Sequence, residues 1–156
     1  RSLQFAEFSA QQNTAYFLAQ EGIEAVFKVR ADYGIEDIIT GSRDSWDWTS
    51  GGPLSDCFDS NGCGVDWRSE SGFVQVSSCD PVENCRVFFD ETPVGRTHYF
   101  HGGTAAQATP YIRVVTLEDL PGDQVRVRSR VSWDTVPSNT EQEVVLETYL
   151  HNIYDF

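Results

Sequence analysis

Four cysteines, three histidines and a few carboxylates set beside tryptophans are the side chains here whose types and spacing could do chemistry. Cys57 and Cys63 enclose five residues, and so do Cys79 and Cys85. Four cysteines allow three pairings. The two local ones are favoured, because short loops close at low entropic cost and both intervals hold turn formers, Asp59-Ser60-Asn61-Gly62 and Asp80-Pro81. A zinc site typically spaces a sulfur pair by about two to four residues, so the wider gap here speaks for disulfides. Disulfides in turn place the chain in an oxidising location: a cell surface, a periplasm or the outside.

Asp56, Asp59, Asn61 and Asp66 surround the first cysteine pair. Hard oxygen donors on a glycine-bearing loop are what calcium takes, although only Asp59-Ser60-Asn61-Gly62 reproduces a fragment of an EF-hand. The expectation is a capped turn with solvated acids, calcium being the alternative; no other metal or cofactor is expected. Asp44-Ser45-Trp46-Asp47-Trp48 mixes carboxylates with indoles, and Trp67 follows. Such tryptophans ordinarily anchor a loop on a core; exposed in a row, Trp46, Trp48 and Trp67 would make a platform for a sugar or another surface. His98 and His101 stand three apart, which in a strand puts them on opposite faces. They are expected to be ordinary polar strand residues. His101-Gly102-Gly103 has the composition of a hydrolase oxyanion loop, yet no Gly-x-Ser-x-Gly elbow accompanies it. Phosphate-loop, dinucleotide and His-Glu-x-x-His motifs are absent as well. No catalytic residue is therefore assigned, and an enzyme is not expected.

The elements that must position these residues change character once. With 156 residues the chain is expected to be one domain. Residues 1–33 read as a helix. From Ser2 to Asp32 there is no proline and one glycine, Gly22, and Phe5, Phe8, Ala15, Ala19, Ile23, Val26 and Phe27 fall at helical gaps, with Leu18 and Ala25 beside them. Glu24 stands in the favoured order four residues before Lys28. Tyr33-Gly34 is the expected end, glycine suiting a left-handed cap. At ~1.5 Å per residue the rod is ~45 Å, long for so small a domain, and its polar first half is expected to protrude. Residues 34–71 read as an irregular loop rich in glycine and tryptophan. Residues 72–156 carry strand signals: 73–76, 86–89, 98–100, then 111–117, 125–133 and 144–150 separated by Leu120-Pro121-Gly122-Asp123 and Pro137-Ser138-Asn139. In 125–133 the valines and Trp133 are placed on one face, and the arginines and serines on the other. Helix first and strands after read as α+β, the helix stripe covering the inner face of an antiparallel β-meander sheet.

Charge and composition narrow the function classes. Twenty-four acids against eleven bases give a net charge of −13, which removes the electrostatic footprint needed for nucleic acid and opposes anionic membrane surfaces. Aromatic residues make up 13% of the chain, too many for wholesale disorder. No apolar run is long enough to span a membrane.

Ala15-Tyr16-Phe17-Leu18-Ala19-Gln20-Glu21-Gly22-Ile23-Glu24-Ala25-Val26, followed by Val29-Arg30, resembles the helix signature of type IV pilin-like proteins, the minor pilins and pseudopilins. Gly95-Arg96-Thr97-His98-Tyr99, Tyr111 to Thr116, Val127 to Trp133 and Val145 to Leu150 resemble that family's later motifs in the same order. The likeness covers about two thirds of the chain at its two ends; it lapses in 34–70, and Ala31 interrupts the family's Arg-Asp pair. It implies a type IV pilin-like fold, a long N-terminal helix on an antiparallel meander with a disulfide-stapled loop. It also implies an apolar helix half upstream of Arg1, so that this chain would be a soluble fragment of a protein anchored in the inner membrane before assembly.

The function so implied is that of a structural subunit, a minor pilin or pseudopilin, in an extracellular filament serving adhesion, motility or secretion. Its partners would be other subunits, with a cell or surface ligand for the exposed head, and its acidity would keep the heads soluble. The alternative is a secreted sugar-binding or adhesion module using Trp46, Trp48 and Trp67.

Overall fold

A computed structural model describes residues 1–40, 52–67, 74–95 and 97–152, with Asp37 and Ile38 described by backbone alone. The helix α1 runs Ser2–Thr40, about 58 Å long at ~1.5 Å per residue. It passes through Gly34 instead of ending there. Gly34 is buried in the helix, and no proline follows, so each further residue adds a backbone hydrogen bond. Lys28 bonds Asp32 at 2.9 Å rather than Glu24, whose carboxylate accepts from Gln20.

Seven strands follow: β1 (Cys63–Trp67), β2 (Val74–Ser78), β3 (Arg86–Phe89), β4 (Tyr99–Phe100), β5 (Ala108–Leu120), β6 (Gln124–Thr135) and β7 (Thr140–His151). β5, β6 and β7 form the long antiparallel ribbon, in register from Leu120↔Gln124 through Thr135↔Thr140. Gly122 and Asp123 turn the chain with positive φ, as does Asn139 after β6.

The expected pilin-like fold is corrected here. The sheet is not one meander: its order is β2-β1-β5-β3-β4, with β6 and β7 branching from the other side of β5. β5 is thirteen residues long, and its outer edge is shared end to end by two short strands, β1 at Val115 and β3 at Ala108 and Ile112. Two hairpins, β1–β2 and β3–β4, thus lie where a continuing meander would not put them. One helix on an antiparallel sheet is α+β only in the loose sense. The 34–71 stretch is also less irregular than expected, since β1 lies within it.

The buried stripe of α1 is Ala15, Leu18, Ala19, Gly22, Ala25, Val26 and Val29, narrower than the expected one: Phe5 and Phe27 are exposed. The core falls into two clusters. One gathers Ala25, Val26 and Val29 with Val65, Leu117, Val125, Val127 and the Cys57–Cys63 bridge; the other gathers Ala15, Leu18 and Ala19 with Val87, Tyr111, Val131, Trp133 and Val144. Between them the helix approaches the sheet most closely. A Cβ on Gly22 would stand 2.5 Å from Ser129 Oγ. Ser129 is therefore on the valine face and fully buried, not among the outward arginines, because a valine would not fit beneath the helix there.

Candidate functional site

The gap between the two apolar clusters is filled by charge. Arg113 is 1% exposed. Its alternation with Tyr111, Val115 and Leu117 on β5 points it under α1. One terminal nitrogen donates to Leu18 O and to Glu21 Oε1, each at 3.2 Å; the other donates to Val65 O at 2.7 Å and stands 3.8 Å from Asp66 Oδ1. Asp66, buried beside Val65 on β1, accepts the His101 backbone N–H at 2.8 Å. The His101 ring lies beyond it, Nε2 4.0 Å from Asp66 Oδ1 and Nδ1 2.8 Å from Arg86 O. Glu21, Arg113, Asp66 and His101 thus form one chain of groups running from the helix through the sheet to the β3–β4 side.

The electrostatics follow from burial. A carbonyl can only accept, so His101 Nδ1 carries the proton toward Arg86 O and Nε2 keeps a lone pair. Burial, aided by the Arg113 charge and opposed by the bond to Arg86 O, pushes the His101 pKa down to about 3. The ring is neutral at physiological pH. Burial raises the Glu21 pKa above the usual carboxylate range, with Arg113 opposing. In a hydrolytic triad the carboxylate orients the histidine through Nδ1–H and a hydroxyl sits at Nε2. Here Nδ1 is committed to a backbone carbonyl, the carboxylate is on the Nε2 side, and among the described residues Nε2 has no hydrogen-bond partner. The arrangement is suited to holding elements together and to accepting a hydrogen bond, not to activating a nucleophile.

The residues singled out from sequence are dispersed. All four cysteines are bridged, Cys57–Cys63 and Cys79–Cys85, the local pairings. Asp59 and Asn61 lie in the turn inside the first bridge, where Gly62 N–H bonds Asp59 O at 3.0 Å, and Asp56 just before it, whereas Asp66 is buried in the node above. Among the described residues no three potential ligating side chains cluster as a metal site would need. Trp67 is 42% exposed, with the Lys28 ammonium 5.7 Å from its ring, and it walls a pocket of about 230 Å³ with Glu21, Ala25 and Thr97. Trp46 and Trp48 lie outside the described residues. The two histidines differ from the expectation: His98 is exposed and bonds Asp90 O, but His101 follows β4 rather than sitting in a strand and is buried.

Sequence reasoning passed over Arg113 and named His101 only as an ordinary polar strand residue, not as a buried one. A signal existed for the first: an arginine in phase with the apolar residues of a strand, matched by Glu21 in phase with Leu18 and Ala25 on the helix. His101 gave none, because its burial depends on two hairpins meeting.

No family model, curated protein or solved structure matches this chain.

Proposed function

We propose that this chain is the head of a structural subunit in an extracellular pilus-like filament, held at the membrane before assembly and contacting neighbouring subunits afterwards. The observation that carries this reading is the N-terminal turn and a half of α1. Residues 1–7 are all exposed, and Leu3 and Phe5 present 84% and 73% of their surface to solvent. A helix is normally buried along one apolar stripe, and apolar side chains left bare at one end of a rod are what helix-to-helix packing covers. The pilin-like motif in residues 15–30 supports the same role, and the two disulfides support an extracytoplasmic setting. The role is structural, with no turnover assigned.

A filament role requires an apolar helical stretch encoded upstream of Arg1, and the gene tests it directly. A reading frame that places a cleavable signal immediately before Arg1 removes the anchor and with it this role. In the assembled protein, Leu3→Glu combined with Phe5→Glu should abolish incorporation into filaments, scored by sedimentation of sheared material. The melting temperature of the head should change by less than about 2 °C, because exposed substitutions stay within ~0.5 kcal/mol. Filaments that form normally with both charges in place would overturn it.

A further inference from the structure

The pocket beside Trp67 lies between α1 and the end of β1 and holds about 230 Å³. Small-ligand sites usually run to about 300–1,000 Å³, so this one suits a single side-chain-sized group. Its apolar part is Ala25 from the helix, Val65 from the strand and the Trp67 ring, which is 42% exposed. Its polar part is Glu21, Glu24 and Lys28 along α1, joined by Thr97 from the segment before β4.

The glutamates are accessible and only half engaged. Glu21 Oε1 accepts from Arg113 at 3.2 Å, and Glu24 Oε1 accepts from Gln20 Nε2 at 3.1 Å. Among the described residues no hydrogen bond holds the second oxygen of either carboxylate. The Glu21 side chain is 21% exposed, and Glu24 is exposed. The Thr97 hydroxyl donates to Tyr99 O, which leaves its oxygen as a further acceptor.

The charge of the wall selects the ligand. Two carboxylates stand against one cation, Lys28, and that ammonium already bonds Asp32 at 2.9 Å. Arg113 offsets Glu21 only in part: burial raises the Glu21 pKa against it, and the charges of Asp66 and Glu24 add to the rise. An anion would meet both glutamates, whereas a cation relieves them. The Lys28 ammonium stands 5.7 Å from the Trp67 ring centroid, inside the ~6 Å reach of a cation–π contact, so the ring face already attracts an ammonium. A guanidinium fork pairs best with both oxygens of one carboxylate; a compact ammonium can take a single oxygen from each of two. Lys28 is the only lysine of the chain, so a second copy has no other lysine to offer.

We propose that this pocket binds a primary alkylammonium group from outside the chain, its stem against Trp67, Ala25 and Val65 and its donors shared by Glu21, Glu24 and the Thr97 hydroxyl oxygen. The site is separate from Leu3 and Phe5 and does not depend on the filament role. The test titrates ¹⁵N-labelled protein with n-butylammonium and with Nα-acetyl-lysine N-methylamide to about 50 mM, above the millimolar range of weak binders, at ionic strength fixed with sodium chloride. Their neutral counterparts are 1-butanol and Nα-acetyl-norleucine N-methylamide. Both ammonium probes should give saturable shifts at the Trp67 indole N–H and at the amides of Ala25 and Thr97, and the neutral pair should bind about fivefold more weakly or less. Equal affinity for the two ammonium probes makes a free amine sufficient; a tighter lysine derivative assigns the group to a protein side chain. Glu24→Gln, on the exposed side of the helix, should weaken binding severalfold with an unchanged melting curve, which separates lost binding from lost folding. Lys28→Gln removes the resident like charge and frees Asp32, so it should tighten binding about twofold or more. No saturable shift, equal binding of the neutral counterparts, full affinity in Glu24→Gln or no gain in Lys28→Gln would overturn the proposal.

Discussion

Arg113 is the residue on which the interior most depends. It is buried with two carboxylates and two backbone carbonyls around it, and such pairs are weak sources of net stability but costly to break. Arg113→Leu takes the buried guanidinium away from both Asp66 and Glu21. It should cost ~3–5 kcal/mol, which lowers the melting temperature by about 10 °C, measured by circular dichroism. Arg113→Lys keeps the charge but loses the fork that reaches helix and strand together, and should fall between the two. His101 gives a pH prediction. Its pKa is about 3 folded and 6.5 unfolded, so between those values the unfolded state binds a proton that the folded state refuses. Stability is therefore undiminished above pH 6.5 and falls as pH drops toward 3. Glu21 acts in the opposite sense. Its raised pKa means that its charged form is a cost at neutral pH, relieved on protonation. Melting temperatures of the wild type and His101→Asn between pH 4 and 7 separate the two: the variant's dependence on pH should be flatter, and an equal slope would remove His101 as the cause.

At the scale of elements, the helix is positioned by a single close approach. Gly22 sits on Ser129, with Val115 Cγ2 and Arg113 Cδ only 3.2 and 3.3 Å from where a Cβ would be. In an exposed helix Gly→Ala gains ~1 kcal/mol. Here Gly22→Ala should instead destabilise by ~1–3 kcal/mol through overpacking. Combining it with Ser129→Ala, which removes the nearest atom, should recover much of the loss in a denaturant-based double-mutant cycle; strict additivity would show that the helix simply shifts. The bridges work on the hairpins. Gly62, at φ 71, is buried against β5, where a Cβ would meet Val115 O at 2.8 Å, and the Cys57–Cys63 bridge holds that approach. Cys79–Cys85 joins the two hairpins. Replacing both of its cysteines by serine should cost ~2–4 kcal/mol and raise amide exchange in β2 and β3 before β6, read by hydrogen exchange. Uniform exchange across the sheet would show that the bridge constrains only the unfolded chain.

For the whole molecule, the sheet separates two jobs. Its inner face, split by the Arg113 layer, holds the helix. The outer face of the ribbon carries Arg126, Arg128 and Arg130 paired with Glu118, Glu147, Glu143 and Glu141. Exposed pairs of this kind add little to stability, and their larger effect is on surface character: they intersperse positive charge among the acids of that face. The bare Leu3 and Phe5 at the start of the rod are a further surface of the molecule. The existence of the helix, the β5–β6–β7 ribbon and the two disulfides could be read from residues alone, because a period of 3.6, a period of 2 and a short loop between cysteines are local properties of a chain. The branching of the sheet could not, because β1 and β3 are too short to declare their partners and the length of β5's edge decided where both would dock. Nor could the buried His101–Asp66–Arg113–Glu21 line be read in advance: its members are up to 92 residues apart, and only the meeting of helix, ribbon and hairpins removes the water that would otherwise have made each of them an ordinary surface charge.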